Sequence, residues 1–149
     1  MSLQDSIMIA LKKAMKEKNQ TALTALRAIK SSILLVRTEA GSSIDLTEEQ
    51  ELKIIQKLVK QRKDSAAIYL EQNRKDLALP ELDEAKVISQ FLPESLNDEE
   101  IEKVVVMVIE KIGANGMKDM GKVMGLVTKE IAGRADGKTI STIVRQKLN

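Results

Sequence analysis

The sequence predicts an all-α fold, with an N-terminal four-helix part of long, hairpin-like helices followed by a compact C-terminal three-helix bundle. Apolar residues recur at the three- and four-residue spacing of helices along the whole chain, and no stretch alternates as a strand does. Only seven glycines and two prolines interrupt the 149 residues, which favours helices over a turn-rich β fold. Aromatic residues amount to 1%, so the core must be aliphatic, as suits helix packing.

The first two helices are predicted from two apolar stripes with a break at Asn19 and Gln20 between them. The first stripe begins at Leu3 and the second ends at Val36. Basic residues occupy the remaining faces, as expected of helices with one buried side. The stretch Ala-Gly-Ser-Ser at 40–43 predicts a loop that ends the second helix.

The third helix is predicted to start at a capping box. Thr47 and Gln50 have the spacing at which the threonine side chain accepts from the third backbone amide and the glutamine side chain reaches back. This helix is long, and Asn73 offers a turn after it. Pro80 predicts a fourth helix that starts close by, because the first helical turn does not use the amide that proline lacks. We expect that helix to end at Pro93.

Three shorter helices are predicted in the last third of the chain. Asn97 is a suitable cap for the first of them, with acidic residues at its positive end, and Gly113 closes it. The next begins near Asp119 and closes at Gly133, and residues 136–137 turn the chain into a short last helix.

The junction between the two parts is predicted at residues 91–96. We accordingly predict two domains, residues 1–93 for the N-terminal helical part and residues 94–149 for the three-helix part. The oligomeric state does not follow from the sequence.

The composition excludes several kinds of site. There is no cysteine and no histidine, which removes disulfides, thiolate metal sites and the commonest general base and metal ligand. We therefore expect no cofactor, no metal and no catalytic constellation. No apolar run approaches the roughly 20 residues that span a bilayer, and the N-terminus lacks the pattern of a secretory signal. It also carries Asp5 and no early arginine, which argues against a mitochondrial presequence. These features predict a cytoplasmic protein without a membrane partner.

Charge is distributed unevenly along the chain, although the net charge is only +2. The segment 12–37 holds seven basic residues and one acidic residue, and the segment after Gly113 holds seven basic and three acidic residues. The segment 39–94 between them has twelve acidic and eight basic residues. Two basic regions beside an acidic middle indicate local attraction for a polyanion, because local fields rather than net charge bring polyanions to a surface.

Eight basic residues are the candidate RNA contacts. The combined charge could engage phosphates, while the near-absence of aromatic residues argues against single-strand readout by stacking. Shape and backbone recognition of a folded RNA is the remaining mode. The primary candidates are Lys118, Lys122, Arg134, Lys138 and Arg145, and the secondary ones are Arg27, Lys60 and Arg62.

Two further patterns have alternative interpretations. Glu81 and Glu84 lie three apart on one helical face, where they could bind a metal or share a proton, or could form a solvated face. Gly121 and Gly125 lie four apart in a predicted helix, although glycine there costs about 1 kcal/mol relative to alanine. Either helices pack closely at these glycines within the three-helix part, or a nucleic-acid backbone approaches there.

Several motifs together resemble the YqeY family. They cover nearly the whole chain in the expected order, at residues 11–16, 23–27, 60–65, 91–93, 119–124, 133–138 and 144–145. The family commonly has glycine where Asn73 stands and tyrosine where Phe91 stands. Both departures are mild, because asparagine tolerates a left-handed turn and phenylalanine keeps the ring.

The resemblance implies a relation to the tail domain of GatB, a component of the tRNA-dependent amidotransferase. That tail helps to hold tRNA while other domains transfer the amide. Our leading hypothesis is therefore a non-catalytic module that binds tRNA or a tRNA-like RNA. The alternative is an accessory protein that docks onto an amidotransferase or an aminoacyl-tRNA synthetase. A remote alternative is a carbon–nitrogen ligase or amidase activity of the chain itself.

Overall fold

A computed structural model describes residues 2–39, 41 and 45–149. Within them the chain forms seven α-helices and no strand, so the predicted all-α class is confirmed. Of the loop predicted at 40–43, only Gly41 lies within the described residues. The helices are α1 Leu3–Glu17, α2 Gln20–Glu39, α3 Glu48–Glu71, α4 Lys75–Ser89, α5 Asp98–Ile112, α6 Met120–Ile131 and α7 Gly137–Leu148, with a 3-10 turn at Met117–Asp119 before α6.

The break between α1 and α2 falls where the apolar stripes predict it. Lys18 ends α1 in the left-handed conformation, with φ 53°. Asn19 then caps α2, since its side-chain oxygen accepts a hydrogen bond of 3.1 Å from the Ala22 amide. A capping side chain directly after a left-handed residue lets the chain reverse within two residues.

The predicted capping box of α3 is confirmed. The backbone amide of Gln50 donates to the Thr47 hydroxyl at 3.2 Å, and the backbone amide of Thr47 donates to the Gln50 side-chain oxygen at 2.9 Å. At the other end of α3 the chain turns at Asn73, whose φ of 58° is left-handed. Asparagine thus supports the turn that its sequence position indicates.

The predicted boundaries of α4 are wrong at both ends. The helix begins at Lys75, so Pro80 is its sixth residue rather than lying near its start. The Asn73 turn, followed by a short ion pair between Arg74 and Asp76 at 3.0 Å, starts the helix directly after α3. Proline at the sixth position removes one intrahelical hydrogen bond, while the helix as a whole packs against α2 and α3. The helix ends at Ser89, before Pro93.

The first four helices form one compact unit that ends at Leu92. In it α2 packs against α1, α3 and α4, and α3 packs along α4. The core between them is aliphatic, and its most deeply buried side chains are Ala25, Leu26, Ile29, Ile55 and Ile88.

The second compact unit runs from Pro93 to Asn149, and each of its three helices packs against the other two. As predicted, Asn97 caps α5 by accepting from the Glu100 amide at 2.8 Å, and Gly113 closes α5 with φ 63°. The end of α6 comes one residue earlier than expected, because Ala132 already adopts a left-handed φ of 48°. The core is again aliphatic, built on Ile101, Val105, Val123, Val127, Ile131, Ile140 and Val144.

Asp136 has a different role from the predicted reverse turn. Its side chain accepts from the Thr139 amide at 2.7 Å and caps α7, of which Gly137 is the first residue. No helix in the described part of the chain is both long and apolar enough to cross a membrane. The prediction that residues 1–93 and 94–149 are separate domains remains a prediction.

Candidate functional site

The exposed face of α6 presents one predicted contact, Lys122, together with Lys129, which is not among the eight predicted contacts. Lys122 and Lys129 are both exposed and lie seven residues apart, so they share one face of the helix about 10 Å apart along its axis. The buried side chains of α6, Val123 and Val127, hold the opposite side of the helix in the core. Lys118, in the 3-10 turn directly before α6, is exposed as well.

The two glycines of α6 are open to the outside. Gly121 and Gly125 are exposed, and a Cβ built on either one would have no heavy atom within 4 Å. The interpretation that they permit close helix packing within this unit is therefore wrong. Their positions beside Lys122 leave a strip of helix backbone without side chains next to a positive charge. We define Lys118, Gly121, Lys122, Gly125 and Lys129 as the α6 face.

Helix α7 contributes a second exposed pair. Lys138 lies in its first turn and Arg145 in its last turn. Seven residues separate them, so they share one face of α7, while Ile140 and Val144 are turned into the core. The neighbouring Lys147 forms an ion pair with Glu102 of α5. Part of the basic charge of α7 is thus already matched within the unit.

Arg134 has a structural contact that the sequence did not indicate. Its Nε donates a hydrogen bond of 2.9 Å to the backbone carbonyl of Glu94. Its own backbone carbonyl accepts from the Leu96 amide at 2.8 Å. Arg134 therefore links the segment before α5 to the loop between α6 and α7, and its side chain remains exposed.

The secondary candidates lie in the first unit, and two of them have acidic neighbours. Lys60 forms an ion pair with Asp64 at 2.8 Å, and this hydrogen-bonded carboxylate raises the pKa of Lys60. Burial raises the pKa of Glu84, and Arg62 lies close enough to that carboxyl to oppose the rise. Arg27 is exposed on α2. A phosphate at Lys60 or Arg62 would have to compete with a carboxylate of the same chain.

The carboxylates that suggested chemistry show no metal site. Among the described residues, no group of three or more acidic side chains is arranged to hold a metal ion. Glu84 is half-buried, and burial raises its pKa; Arg62 opposes this and Glu81 adds to it. The two carboxylates on this face thus interact electrostatically.

A depression of about 680 Å³ lies between α1, α3 and the residues after α4. Its polar lining includes Ser2, Ser6, Glu48 and Glu51. Burial raises the pKa of Glu51, and the charges of Glu48 and Asp45 raise it further. The two hydroxyls serve the start of α1, where Ser2 caps the helix and the Ser6 hydroxyl donates to the Ser2 carbonyl at 3.2 Å. No lysine is among the described residues that line this depression.

Sequence reasoning missed a groove of about 180 Å³ between α1 and α2. Apolar side chains line it, and we name it the α1–α2 groove. A signal was present in the four consecutive apolar residues 33–36, because a helix with one buried face cannot bury four in a row. Its lining residues are Gln4, Ile7 and Met8 of α1 and Lys30, Ile33, Leu34 and Arg37 of α2.

The chain belongs to the family of Yqey-like proteins, whose family model matches residues 4–148. The mitochondrial protein "Altered inheritance of mitochondria protein 41" of Clavispora lusitaniae is 36% identical over 133 residues, which cover 87% of this chain and 74% of that protein. One component of the glutamyl-tRNA(Gln) amidotransferase of Thermococcus gammatolerans is 43% identical over 79 residues, which cover 50% of this chain and 13% of that protein. The predicted family and its relation to part of an amidotransferase are confirmed.

The comparisons correct one prediction. Relatives from four fungi, Clavispora lusitaniae and Pyrenophora tritici-repentis among them, carry names that place them in mitochondria. The predicted cytoplasmic location, which rested on the absence of a recognisable targeting pattern, is therefore wrong. Targeting segments are read by receptors from loose compositional features, so the lack of an obvious one is weak evidence.

Proposed function

We propose that this protein binds tRNA or a tRNA-like RNA through the α6 face, without carrying out chemistry on it. The observation that carries the proposal is the placement of Lys122 and Lys129 on one exposed face with the open pair Gly121 and Gly125 between and beside them. Lysines supply the charge that phosphates require. Helix glycines without packing partners let a sugar–phosphate backbone come closer than a side chain would allow.

Charge is distributed unevenly over the helices of the second unit. The first turn of α5 holds Asp98, Glu99 and Glu100, while α7 holds Lys138 and Arg145 on its outer face. A polyanion is repelled from the start of α5 and attracted to α6 and α7. Similarity to part of a tRNA amidotransferase supports tRNA as the polyanion.

The mode of recognition follows from the residue types. The described part of this unit has no aromatic side chain to stack on bases, and lysines contact phosphates without reading sequence. The surface is suited to the shape and backbone of a folded RNA. Binding should consequently depend steeply on salt.

A titration of total tRNA, with a Lys122→Ala, Lys129→Ala double variant, tests the proposal. We expect each lost phosphate contact to reduce the slope of log affinity against log salt by roughly 0.7–0.9. The matched control is Lys103→Ala, Lys111→Ala, which removes the same charge from exposed positions of α5 and should leave the slope nearly unchanged. Wild-type protein that binds no tRNA at low salt, or two double variants with equal slopes, would overturn the proposal.

A second candidate function is association with a tRNA-dependent amidotransferase. It is supported by the similarity to the archaeal amidotransferase component and by the many large apolar side chains exposed on the first unit, Leu34 and Leu35 of α2 among them. Sedimentation velocity of the protein with purified amidotransferase should show a faster-moving complex. Independent sedimentation at micromolar concentrations of both proteins would rule this candidate out.

A further inference from the structure

We propose that the α1–α2 groove is a docking site for an acidic amphipathic helix of a partner protein. The proposal extends the second candidate function, because it names a site and a partner chemistry, but it does not require that the partner be an amidotransferase. It is separate from RNA binding by the α6 face.

The groove has a buried floor and exposed walls. Ile7 and Ile33 form the floor, with 2% and 4% of their surfaces exposed. Met8 and Leu34 form the walls and are 42% and 64% exposed. Large apolar side chains that flank a concave apolar floor are typical of sites for other proteins.

The size of the groove indicates what kind of group it can hold. A volume of about 180 Å³ is below the roughly 300–1,000 Å³ of pockets for drug-sized ligands. It is suited to one or two apolar side chains. The lining follows both helices, at positions 4, 7 and 8 of α1 and 30, 33, 34 and 37 of α2, so the groove extends about 10 Å along α2. A helix that lies along such a groove presents apolar side chains at i, i+3, i+4 and i+7, and one or two of them enter the groove while the others contact its walls.

The basic side chains at the rim of the groove favour an acidic partner helix. The ammonium of Lys30 lies 4.0 Å from the Met8 sulfur, beside the apolar wall. Among the described residues, Lys30 has no ion-pair partner. Arg37, at the far end, is within 3.6 Å of the Asp45 carboxylate, which is highly exposed. Both cations belong to the segment 12–37, which carries seven basic residues and one acidic residue. Carboxylates that flank the apolar face of a partner helix would complement this rim.

An RNA does not fit the same observations. A sugar–phosphate backbone would meet the basic rim but would leave the apolar floor and the exposed Leu34 side chain in water. Only a partner with both apolar and acidic side chains satisfies both features of the groove. A protein helix is therefore the occupant that the lining favours.

The experiment measures binding of a designed peptide to the full-length protein by fluorescence anisotropy. The peptide is a labelled amphipathic helix with leucines at i, i+3, i+4 and i+7 and glutamates on the flanks. Lactam bridges preform it, because short isolated helices are marginal in water. A second peptide keeps the same lactam bridges and replaces every glutamate outside them by lysine. We expect saturable binding of the acidic peptide, at least tenfold tighter than that of the basic peptide.

Two variants with matched controls locate the site. Leu34→Ser should weaken binding about tenfold, as expected of a central apolar contact, whereas Leu35→Ser, 59% exposed but outside the groove, should change it less than about twofold. Lys30→Glu should weaken binding about fivefold or more, while Lys12→Glu, an equal charge change outside the lining, should have a smaller effect. All four positions are exposed, and circular dichroism checks that each variant stays helical.

Several outcomes would overturn the proposal. They are no binding of the acidic peptide, equal binding of both peptides, or equal losses for Leu34→Ser and Leu35→Ser. Concentration-dependent dimerisation of the wild type that Leu34→Ser abolishes would show that a second copy occupies the groove, and would also overturn it. Loss of tRNA affinity in Leu34→Ser would assign the groove to RNA instead. If the peptide fails to bind while the complex with amidotransferase persists, the groove proposal fails and the association stands.

Discussion

Arg134 donates a hydrogen bond of 2.9 Å from its Nε to the backbone carbonyl of Glu94, across forty residues of sequence. The Arg134 carbonyl in turn accepts from the Leu96 amide at 2.8 Å. These two bonds attach the segment before α5 to the loop after α6. Arg134 is therefore part of the frame of the second unit.

We expect Arg134→Ala to destabilise the protein by about 0.5–1 kcal/mol, because an exposed hydrogen bond contributes at the low end of the usual range. Arg134→Lys keeps the charge but has no Nε N–H group. It should lose stability similarly and retain most tRNA affinity if the charge alone contacts phosphate. Urea denaturation and tRNA titration measure the two effects. Wild-type stability in Arg134→Ala would show that the hydrogen bond contributes nothing.

Replacing the glycines of α6 by alanine should have opposite effects on stability and on tRNA binding. Neither Gly121 nor Gly125 has a positive φ, and both face open space. Alanine at each position should therefore stabilise the helix by roughly 0.4–1 kcal/mol. If an RNA backbone approaches this strip, the same substitutions should weaken tRNA binding. Thermal denaturation and tRNA titration of Gly121→Ala and Gly125→Ala separate the two effects.

A control for this pair is available on another helix of the same unit. Met107→Ala changes an exposed, uncharged residue of α5 and should not alter tRNA affinity. If both glycine variants are more stable and bind tRNA as the wild type does, close backbone approach at α6 is excluded. Lysine contacts would then be the remaining support for the RNA proposal.

Local signals in the sequence predicted the helix ends well, whereas contacts between distant residues could not be predicted. The caps at Thr47 and Asn97 depend on residues within three positions and were correct. Pro80 was misleading, because the turn at Asn73 and the Arg74–Asp76 pair start α4 earlier than proline indicates.

The candidate sites show the same limit. Helical spacing alone places Lys122 and Lys129 on one face of α6. To predict the hydrogen bond from Arg134 to Glu94, one must know how three helices pack. The same holds for predicting that Gly121 faces outward. Similarly, the α1–α2 groove depends on the rotation of two helices about their axes, which periodicity fixes only to within the width of an apolar stripe.

Glu84 should make stability depend on pH. Burial raises its pKa from the ordinary value of 4.5, with Arg62 opposing the shift and Glu81 adding to it. The folded state therefore holds this proton more tightly than the unfolded state. The associated stability is present below the unfolded pKa and is lost as pH rises through the folded pKa.

Glu84→Gln removes a half-buried charge, so we expect it to raise the free energy of unfolding at pH 7. The gain should shrink towards zero below about pH 4, where the carboxyl is protonated in both states. Urea denaturation at a series of pH values measures it. Arg62→Gln, which removes the opposing charge, should lower stability at pH 7 through the same carboxylate. A gain from Glu84→Gln that is constant with pH would contradict this account.

The prediction of two domains can be tested by dividing the chain. Residues 94–149 contain an entire aliphatic core and the Asn97 cap. They also contain Glu94 and Leu96, whose backbone groups form hydrogen bonds with Arg134. A domain of fewer than about 60 residues is marginal in stability, so the residues before α5 should matter. We expect the fragment 94–149 to unfold cooperatively by circular dichroism and the fragment 98–149 to be less stable by about 1–2 kcal/mol, since it loses the cap and these hydrogen bonds. Equal stability of the two fragments would show that residues 94–97 do not belong to the folded unit, and a helix-free fragment 94–149 would show that the second unit requires the first.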